Sequence, residues 1–600
     1  MTQRLAANLD VADWKAVQMS TEPALEAGPN ILGGASGALV GDAITAGITG
    51  RRSVAFWLAI LLHATALALA ITTEVNAFGF AICLLVWIVL NALWLAMVRR
   101  PTVAAFISLE IFVVLILLSR FKFDKLWATL DFIDVMIVDH DTTAFLLATF
   151  PALRWWILLA ATATMIAGIF TWRLDRHRIG SFASLVAFGA AGAALIVLCL
   201  LHPTGLNEDF EGKSYVSKFA RTGVETVHEL MTHGYFEAAD EVNGKAIEAA
   251  ATFGCHATRR LPHIILLHDE SSFDITAAPG IRVPPNYQHH FESFDGKARK
   301  LVVEGVGGPS WFAEFNVLTG LSVRSFGRFA TAVTRIAAGH VFRGLPHSLR
   351  DCGYQTFSLY PFYGSFLASR AFQTTTGIEH YLDMRDLGTT DFEADSFYYN
   401  RAIDLIHRER GDHPLFLYVY TVANHFPWNE RLRPRLTPDW HDLGNAPDVN
   451  EYIRRQRMSA HDYQEFLAKL KRDFPGEQFL IVRYGDHQPQ FGARVLDPLL
   501  SKEDIARHAE QLDPRYLTTY YAVDAVNFTP AGMSSALVRL DAPYLPLIVL
   551  EAAGIPLDAT FTMQRQILRN CRGLFYSCEG GARVRQLNRL SIDAGLIKGL

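Results

Sequence analysis

Apolar residues run almost unbroken through roughly residues 53–202, then give way to short clusters separated by polar and charged positions. Five of the runs, near 53–72, 75–98, 102–119, 155–172 and 182–202, are each long enough to cross a hydrocarbon core, which takes about 20 helical residues. They predict a five-helix transmembrane bundle. Beyond residue 255 the period changes. Short β-rich runs alternate with helical or polar stretches: HIILLH at 263–268, KLVVEG at 300–305, YQTFSLY at 354–360, LFLYVYTV at 415–422 and FLIVRYG at 479–485. Several are apolar at consecutive positions, as strands buried on both faces are. The prediction is an α/β domain on a mostly parallel central sheet.

Charge adds an orientation. Arg51 and Arg52 precede the first span, Arg99 and Arg100 follow the second, and Arg173, Arg176 and Arg178 separate the fourth from the fifth. All three clusters fall on one side, which the positive-inside rule makes cytoplasmic, so the part after residue 203 faces outward. The loop 120–154 dissents, with Arg120, Lys122, Lys125 and Arg154 on the outer side. Its alternating pattern suits an interfacial amphipathic helix. The chain therefore divides into a flexible cytoplasmic tail (1–52, with a Gly/Ala/Ser-rich tract), the membrane part (53–202), a juxtamembrane linker (203–254), the outer domain (255–555) and a C-terminal extension (556–600). With no cleavable signal peptide of the usual kind at the start, the first span is expected to act as the targeting signal. Glu110, inside the third span, is a functional candidate because a carboxylate in lipid is costly.

Half of the residues are apolar and the formal net charge is −5, with no long Lys/Arg block, which argues against nucleic acid as a partner. Of six cysteines, Cys83 and Cys199 fall in apolar spans, while Cys255, Cys352, Cys571 and Cys578 fall in the polar half. None has zinc-ribbon spacing. Cys571 and Cys578 flank RGLFYS, which suits either a small disulfide loop on an oxidising side or two free thiols.

In a parallel sheet the ligand site lies beyond the carboxyl ends of the strands. Chemically capable residues stand there: Asp269 and Glu270 after the first run, Asn424 and His425 after the fourth, Asp486 and His487 after the fifth. Gly485-Asp486-His487 sets a hard oxygen beside an imidazole, a pairing suited to Zn²⁺ or Mn²⁺. The second run leads through GVGG to Ser310, which opens the helical stretch WFAEFNVL. As a structural residue Ser310 is a good N-cap; as a nucleophile it needs a base or a metal to reach its alkoxide at neutral pH. His425 is either a satisfied surface imidazole or a group that binds a phosphate oxygen or protonates a leaving group. His289, His290 and Arg370 are weaker candidates for an anionic head group.

These residues resemble the alkaline phosphatase and sulfatase superfamily, and within it the membrane-bound lipoteichoic acid synthase-like phosphoglycerol and phosphoethanolamine transferases. Ser310 precedes Leu318-Thr319-Gly320 by the eight residues that separate a sulfatase nucleophile from Leu-Thr-Gly. Ser310-Trp311-Phe312-Ala313-Glu314-Phe315 is similar to the synthases' Thr before Ala-Glu-Phe, with one further residue between. Leu345-Pro346-His347-Ser348-Leu349 with Gly353-Tyr354 resembles the family's helix after the nucleophile, and five spans before an exported domain match its layout. Three features depart from the family. Trp311 follows the nucleophile, no Cys-x-Pro-x-Arg is present, and Tyr360-Pro361 precedes Arg370 where the synthases have a histidine.

The resemblance implies an extracytoplasmic sulfatase-like catalytic domain at 255–555. It implies one divalent metal, Mn²⁺ first and Zn²⁺ or Mg²⁺ as alternatives, held by Glu270, Ser310, Asp486 and His487. Ser310 is the expected nucleophile, His425 a second catalytic residue, and Arg370, His425 and Trp311 the expected substrate contacts. The implied activity moves a phosphoglycerol-type head group from a phospholipid donor to a glycan or lipid acceptor at the cell membrane. Phosphoethanolamine transfer, phosphodiester hydrolysis and a non-catalytic sensor that keeps the fold are the alternatives.

Overall fold

The structure is a computed structural model that describes residues 39–126, 129–138, 143, 146–147, 150–204, 212–240, 255 and 260–600. Among these, five helices carry segments long and apolar enough to cross a membrane: Ser53–Thr73, Ala77–Val98, Pro101–Asp124, Leu153–Leu174 and Ser181–Leu201. The helices themselves are α1 (Leu39–Thr73), α2 (Ala77–Val98), α3 (Pro101–Leu126), α4 (Leu153–Leu174) and α5 (Ser181–Leu201). Helix α1 begins inside the stretch read as a tail; the rest of that tail lies outside the described residues. Asn76 caps α2 through the backbone N–H of Gly79. Asp175, just past α4, accepts from the N–H groups of Thr102 and Val103 at the start of α3, so one carboxylate serves otherwise unpaired helix-start donors. Glu110 accepts from Thr164 Oγ1 at 3.0 Å, linking α3 to α4.

The stretch read as a juxtamembrane linker holds an ordered helix, α6 (Tyr215–His233). Lys218 and Arg221 on α6 are buried and reach Thr129 Oγ1 and the carbonyls of His202 and Pro203. Glu225 accepts from Thr204 and pairs with Arg328 at 2.6 Å, which ties α6 to the sheet-containing domain. In the dissenting loop α3 continues to Leu126 and a short helix, Phe132–Ile137, follows. Part of that loop lies outside the described residues.

The domain that follows the spans is built on one eight-stranded sheet. Its strands are β1 (His263–Asp269), β2 (Arg299–Val302), β3 (Gln355–Leu359), β4 (His380–Leu382), β5 (Leu415–Thr421), β6 (Phe479–Gly485), β7 (Thr518–Val526) and β8 (Arg539–Asp541), in the order β4-β3-β5-β1-β6-β7-β2-β8. Every neighbouring pair is parallel except the two that β7 makes, with β6 and β2. β1, β5 and β6 are buried along their whole length, as their continuous apolar runs require. They also end in register: Asp269 lies opposite Thr421 on one side and Gly485 on the other. That alignment brings the residues just after three strands to one place.

Residues 556–600, read as an extension, pack into the same core. Phe561, Ile567, Leu568, Val584 and Leu587 are buried in it, and Ile597 bridges to Val341. Arg343, fully buried, donates to Gln564 Oε1 and Thr560 Oγ1 of this segment and to the carbonyl of Thr319. A boundary at 555 therefore does not divide the packing.

Arg483 on β6 is another buried cation. It donates to the carbonyl of His290 at 2.9 Å and to Asp524 Oδ2 at 3.3 Å, and its guanidinium lies 3.9 Å from the Tyr463 ring centroid. Removing one partner of a buried pair typically costs about 3–5 kcal/mol. We expect Arg483→Met to lower unfolding stability by about 3 kcal/mol, read by denaturant unfolding of the detergent-solubilised protein. A change under about 1 kcal/mol, the size of an exposed pair, would contradict this account.

Candidate active site

Ser310 is the first residue of α7 (Ser310–Thr319), but it is not the cap: Pro309 holds that position and no side-chain cap bond is made. The hydroxyl points elsewhere. Its Oγ lies 3.2 Å from Glu270 Oε2 and 3.1 Å from His487 Nε2. The helix behind it is fixed by buried Ala313, Phe315, Val317 and Leu318. Glu314, one turn along, accepts from Gln373 and Ser369, and burial lifts its carboxyl to about 7. At the far end Gly320, at φ 70°, closes the helix in the left-handed conformation glycine tolerates best.

Glu270 is presented by a strained turn. Ser271 has φ 51°, an uncommon value for a residue with a side chain. The turn lets Ser271 Oγ donate to Glu270 Oε1 at 2.8 Å and Ser271 N donate to Asp486 Oδ1 at 2.7 Å. The same chain passes so close to β6 that a Cβ on Gly485 would sit 1.8 Å from the carbonyl oxygen of Ser272. Only glycine fits there, which explains the residue before Asp486-His487. Tyr420 on β5 donates to Glu270 Oε2 at 2.8 Å.

Asp486 Oδ1 also accepts from the backbone N–H of His487, while its Oδ2 is buried without a hydrogen bond. His487 Nδ1–H donates to the carbonyl of Gln488 at 2.8 Å, which turns Nε2 toward the carboxylates. Nε2 lies 3.4 Å from Glu270 Oε1 and 3.3 Å from Asp486 Oδ2. Burial alone would lower the His487 pKa, but Asp486 and Glu270 outweigh it and raise it to about 9. Burial alone would raise Glu270, yet its hydrogen bond to His487 and the charges of His425 and His487 hold it well below the usual carboxylate range. This enclosed pair of carboxylates demands positive charge.

The donor set fits a small divalent ion. Donors sharing an ion about 2.1 Å away lie about 3.0 Å apart along octahedral edges and about 3.4 Å apart along tetrahedral ones. The four donor separations given above for Ser310, Glu270, Asp486 and His487 run from 3.1 to 3.4 Å. Oxygen and nitrogen donors of this kind suit Mn²⁺ or Zn²⁺. His268, at the end of β1, also groups with Glu270 and Asp486, its donor atom within 4.8 Å of theirs.

Tyr420→Phe removes the β5 hydroxyl that holds Glu270 and leaves all four donor residues in the chain. We expect it to weaken metal affinity by about 10–100-fold, measured by competition with a chelating dye. An unchanged affinity would mean that Tyr420 does not orient Glu270.

The other predicted residues are placed as follows. His425 is half-buried; its Nδ1–H donates to the carbonyl of Phe426 at 2.7 Å, leaving Nε2 as the open nitrogen. Burial lowers its pKa and the charge of Glu270 opposes that. The loop carrying it is held by Arg455, which donates to the carbonyls of His425, Pro427 and Glu430. Trp311 sits beside Ser310 with its indole N–H on the carbonyl of Thr331. Arg370 is half-exposed and donates to Asp383, Asp386 and the carbonyl of Tyr381. His289 is exposed and bonds Glu292, while His290 is buried 3.9 Å from Asp269 Oδ2. Asp269 accepts from Tyr520 and Thr421. Cys255 pairs with Cys352, and Cys571 with Cys578.

Residues 312–518 match the Sulfatase family model. A protein of Haemophilus influenzae described as uncharacterized is 26% identical over 212 residues, 32% of this chain and 37% of that relative's length. The chain thus spans little more than a third of the curated relative it matches. Among solved structures, the Streptococcus pyogenes phosphoglycerol transferase GacH in complex with sn-glycerol-1-phosphate is 14% identical, with TM-score 0.47, over 61% of this chain and 97% of that one. The integral membrane lipooligosaccharide phosphoethanolamine transferase EptA from Neisseria meningitidis is 10% identical, with TM-score 0.42, over 78% of this chain and 90% of that one. The lipoteichoic acid synthase LtaP from Listeria monocytogenes is 16% identical, with TM-score 0.36, over 53% and 80%.

Proposed function

We propose that the chain is a membrane-anchored, metal-dependent transferase that moves a phosphoglycerol-type head group from a phospholipid to a glycan or lipid acceptor through a covalent Ser310 diester. One observation carries this: the hydroxyl at the start of α7 stands within 3.2 Å of both a carboxylate and an imidazole that follow other strands. The match of residues 312–518 to the Sulfatase family supports it. Glu270, Ser310, Asp486 and His487 would hold the ion, Mn²⁺ by the sequence reading with Zn²⁺ or Mg²⁺ as alternatives. When bound, it supplies the Lewis acidity that makes a serine oxyanion accessible at neutral pH.

The chain's own residues do the rest in two steps. Ser310 Oγ, entering as the oxyanion after its proton has gone to solvent, forms a bond to phosphorus, the bond from phosphorus to the diacylglycerol oxygen breaks, and that oxygen leaves with a proton from His425 Nε2. An acceptor hydroxyl then bonds to phosphorus, returns a proton to His425 Nε2 and releases Ser310 Oγ. An anionic diester beside the ring would lift the His425 pKa toward the protonated form the first step uses. Trp311 and Arg370 are proposed to contact substrate at the rim. The catalytic domain is proposed to face outward, supported by the Arg clusters at one end of the spans and the paired cysteines beyond them. A bilayer anchor confines the enzyme to the surface that holds its donor.

The test is diacylglycerol release from liposomes of phosphatidylglycerol or phosphatidylethanolamine by the full-length protein. The expected result is release from one donor only, dependent on added divalent ion; which donor names the head group. No release from any donor with Mn²⁺, Zn²⁺ and Mg²⁺ each supplied would refute the proposal.

A further inference from the structure

Granting the metal-dependent reading above, on which this depends, we propose that His268 is a further ligand of the same ion and that the second imidazole shifts the site's preference to Zn²⁺. His268 Nε2 lies 3.1 Å from Asp486 Oδ2, and both side chains are fully buried. Neither atom makes a hydrogen bond. Two such atoms at that separation, not addressing each other, address a third point. The separation equals the shortest donor contact around Ser310, and the donor atoms of His268, Glu270 and Asp486 all lie within 4.8 Å of one another.

The back of the ring is built as a ligand's is. Nδ1 lies 2.7 Å from Tyr484 Oη and 2.8 Å from Tyr418 Oη. With Nδ1–H donating to those hydroxyl oxygens, the lone pair stands on Nε2, as it does for His487. The ring face is stacked on Tyr420 at 3.7 Å, and the Tyr420 hydroxyl holds Glu270. Rotation away from Asp486 is therefore blocked by Tyr418, Tyr484 and Tyr420, the last of which also fixes Glu270. A shell of two imidazoles, two carboxylates and a serine oxygen is richer in nitrogen than Mg²⁺ or Mn²⁺ favours, and it suits Zn²⁺. The rival geometry has Nδ1 accepting from a tyrosine and Nε2–H donating to Asp486, which would make His268 a positioning residue.

X-ray absorption of the full-length, zinc-loaded protein in detergent separates the two by counting imidazoles on the metal. Two are expected in the wild type, one in His268→Phe and one in His487→Phe. Zinc affinity in His268→Phe should fall beyond the roughly 100-fold that loss of a merely orienting group can reach. A single imidazole in the wild type, unchanged in His268→Phe, would overturn the assignment; this count needs no variant to fold. Two imidazoles in a protein that releases no diacylglycerol would sink the transfer reaction and leave the ligand standing. Zinc that fails to bind would sink both.

Discussion

Ser310→Ala is expected to lower kcat for head-group transfer by at least about 10⁴-fold, or about 5.5 kcal/mol of transition-state stabilisation, with little change in fold. The size follows from the role. Among the described residues Ser310 Oγ is the only hydroxyl that contacts Glu270 Oε2 and His487 Nε2 together, so no described neighbour replaces it. Ser271 Oγ reaches Glu270 Oε1 but not His487 Nε2. The mutation removes one oxygen from a half-buried position at the start of α7 and no cap bond, so stability should move by under about 1 kcal/mol. The check is kcat against unfolding on one preparation. A loss of tenfold or less would mean that water attacks phosphorus without the serine, and that the chain is a hydrolase of another design.

Stripping the divalent ion is expected to cost about 10³-fold or more in rate, the scale of several kcal/mol of lost charge stabilisation. Stability should fall with it. Saturating ion at about 1,000 times its Kd adds about 4 kcal/mol to the folded state by mass action. Both effects should reverse when the ion is returned. In Asp486→Ala they should not reverse, because that change removes a donor and also leaves the N–H groups of Ser271 and His487 without their shared acceptor. Each orphaned donor costs about 1–3 kcal/mol. A chelated protein that keeps its rate would show that these carboxylates serve structure alone.

Much of this was legible in the sequence because the strongest signals are one-dimensional. Length and apolarity located five spans to within a few residues, and continuous apolar runs located β1, β3, β5 and β6, with candidate residues following β1, β5 and β6. β7 was missed because its run, TTYYAVDAV, carries an aspartate that pairs with Arg483, a partner remote in sequence. β4 and β8 are three residues each, too short for any period to register. Ser310 as a helix cap was the wrong local reading; a serine before a helical stretch says nothing about Glu270 and His487, which arrive from other strands. His268 was hidden for the opposite reason. It ends an apolar run, where an imidazole reads as core, and only the register of β1 against β6 sets it beside Asp486. Tyr420 and Arg455 act through atoms far along the chain and left no motif.

The most direct measurement is the intact mass of the full-length protein quenched during turnover with a defined phospholipid, followed by peptide mapping. The account predicts an added mass equal to the phosphorylated head group, located on Ser310 and absent from Ser310→Ala. Turnover with no adduct under any quench, or an adduct on a residue other than Ser310, would contradict it.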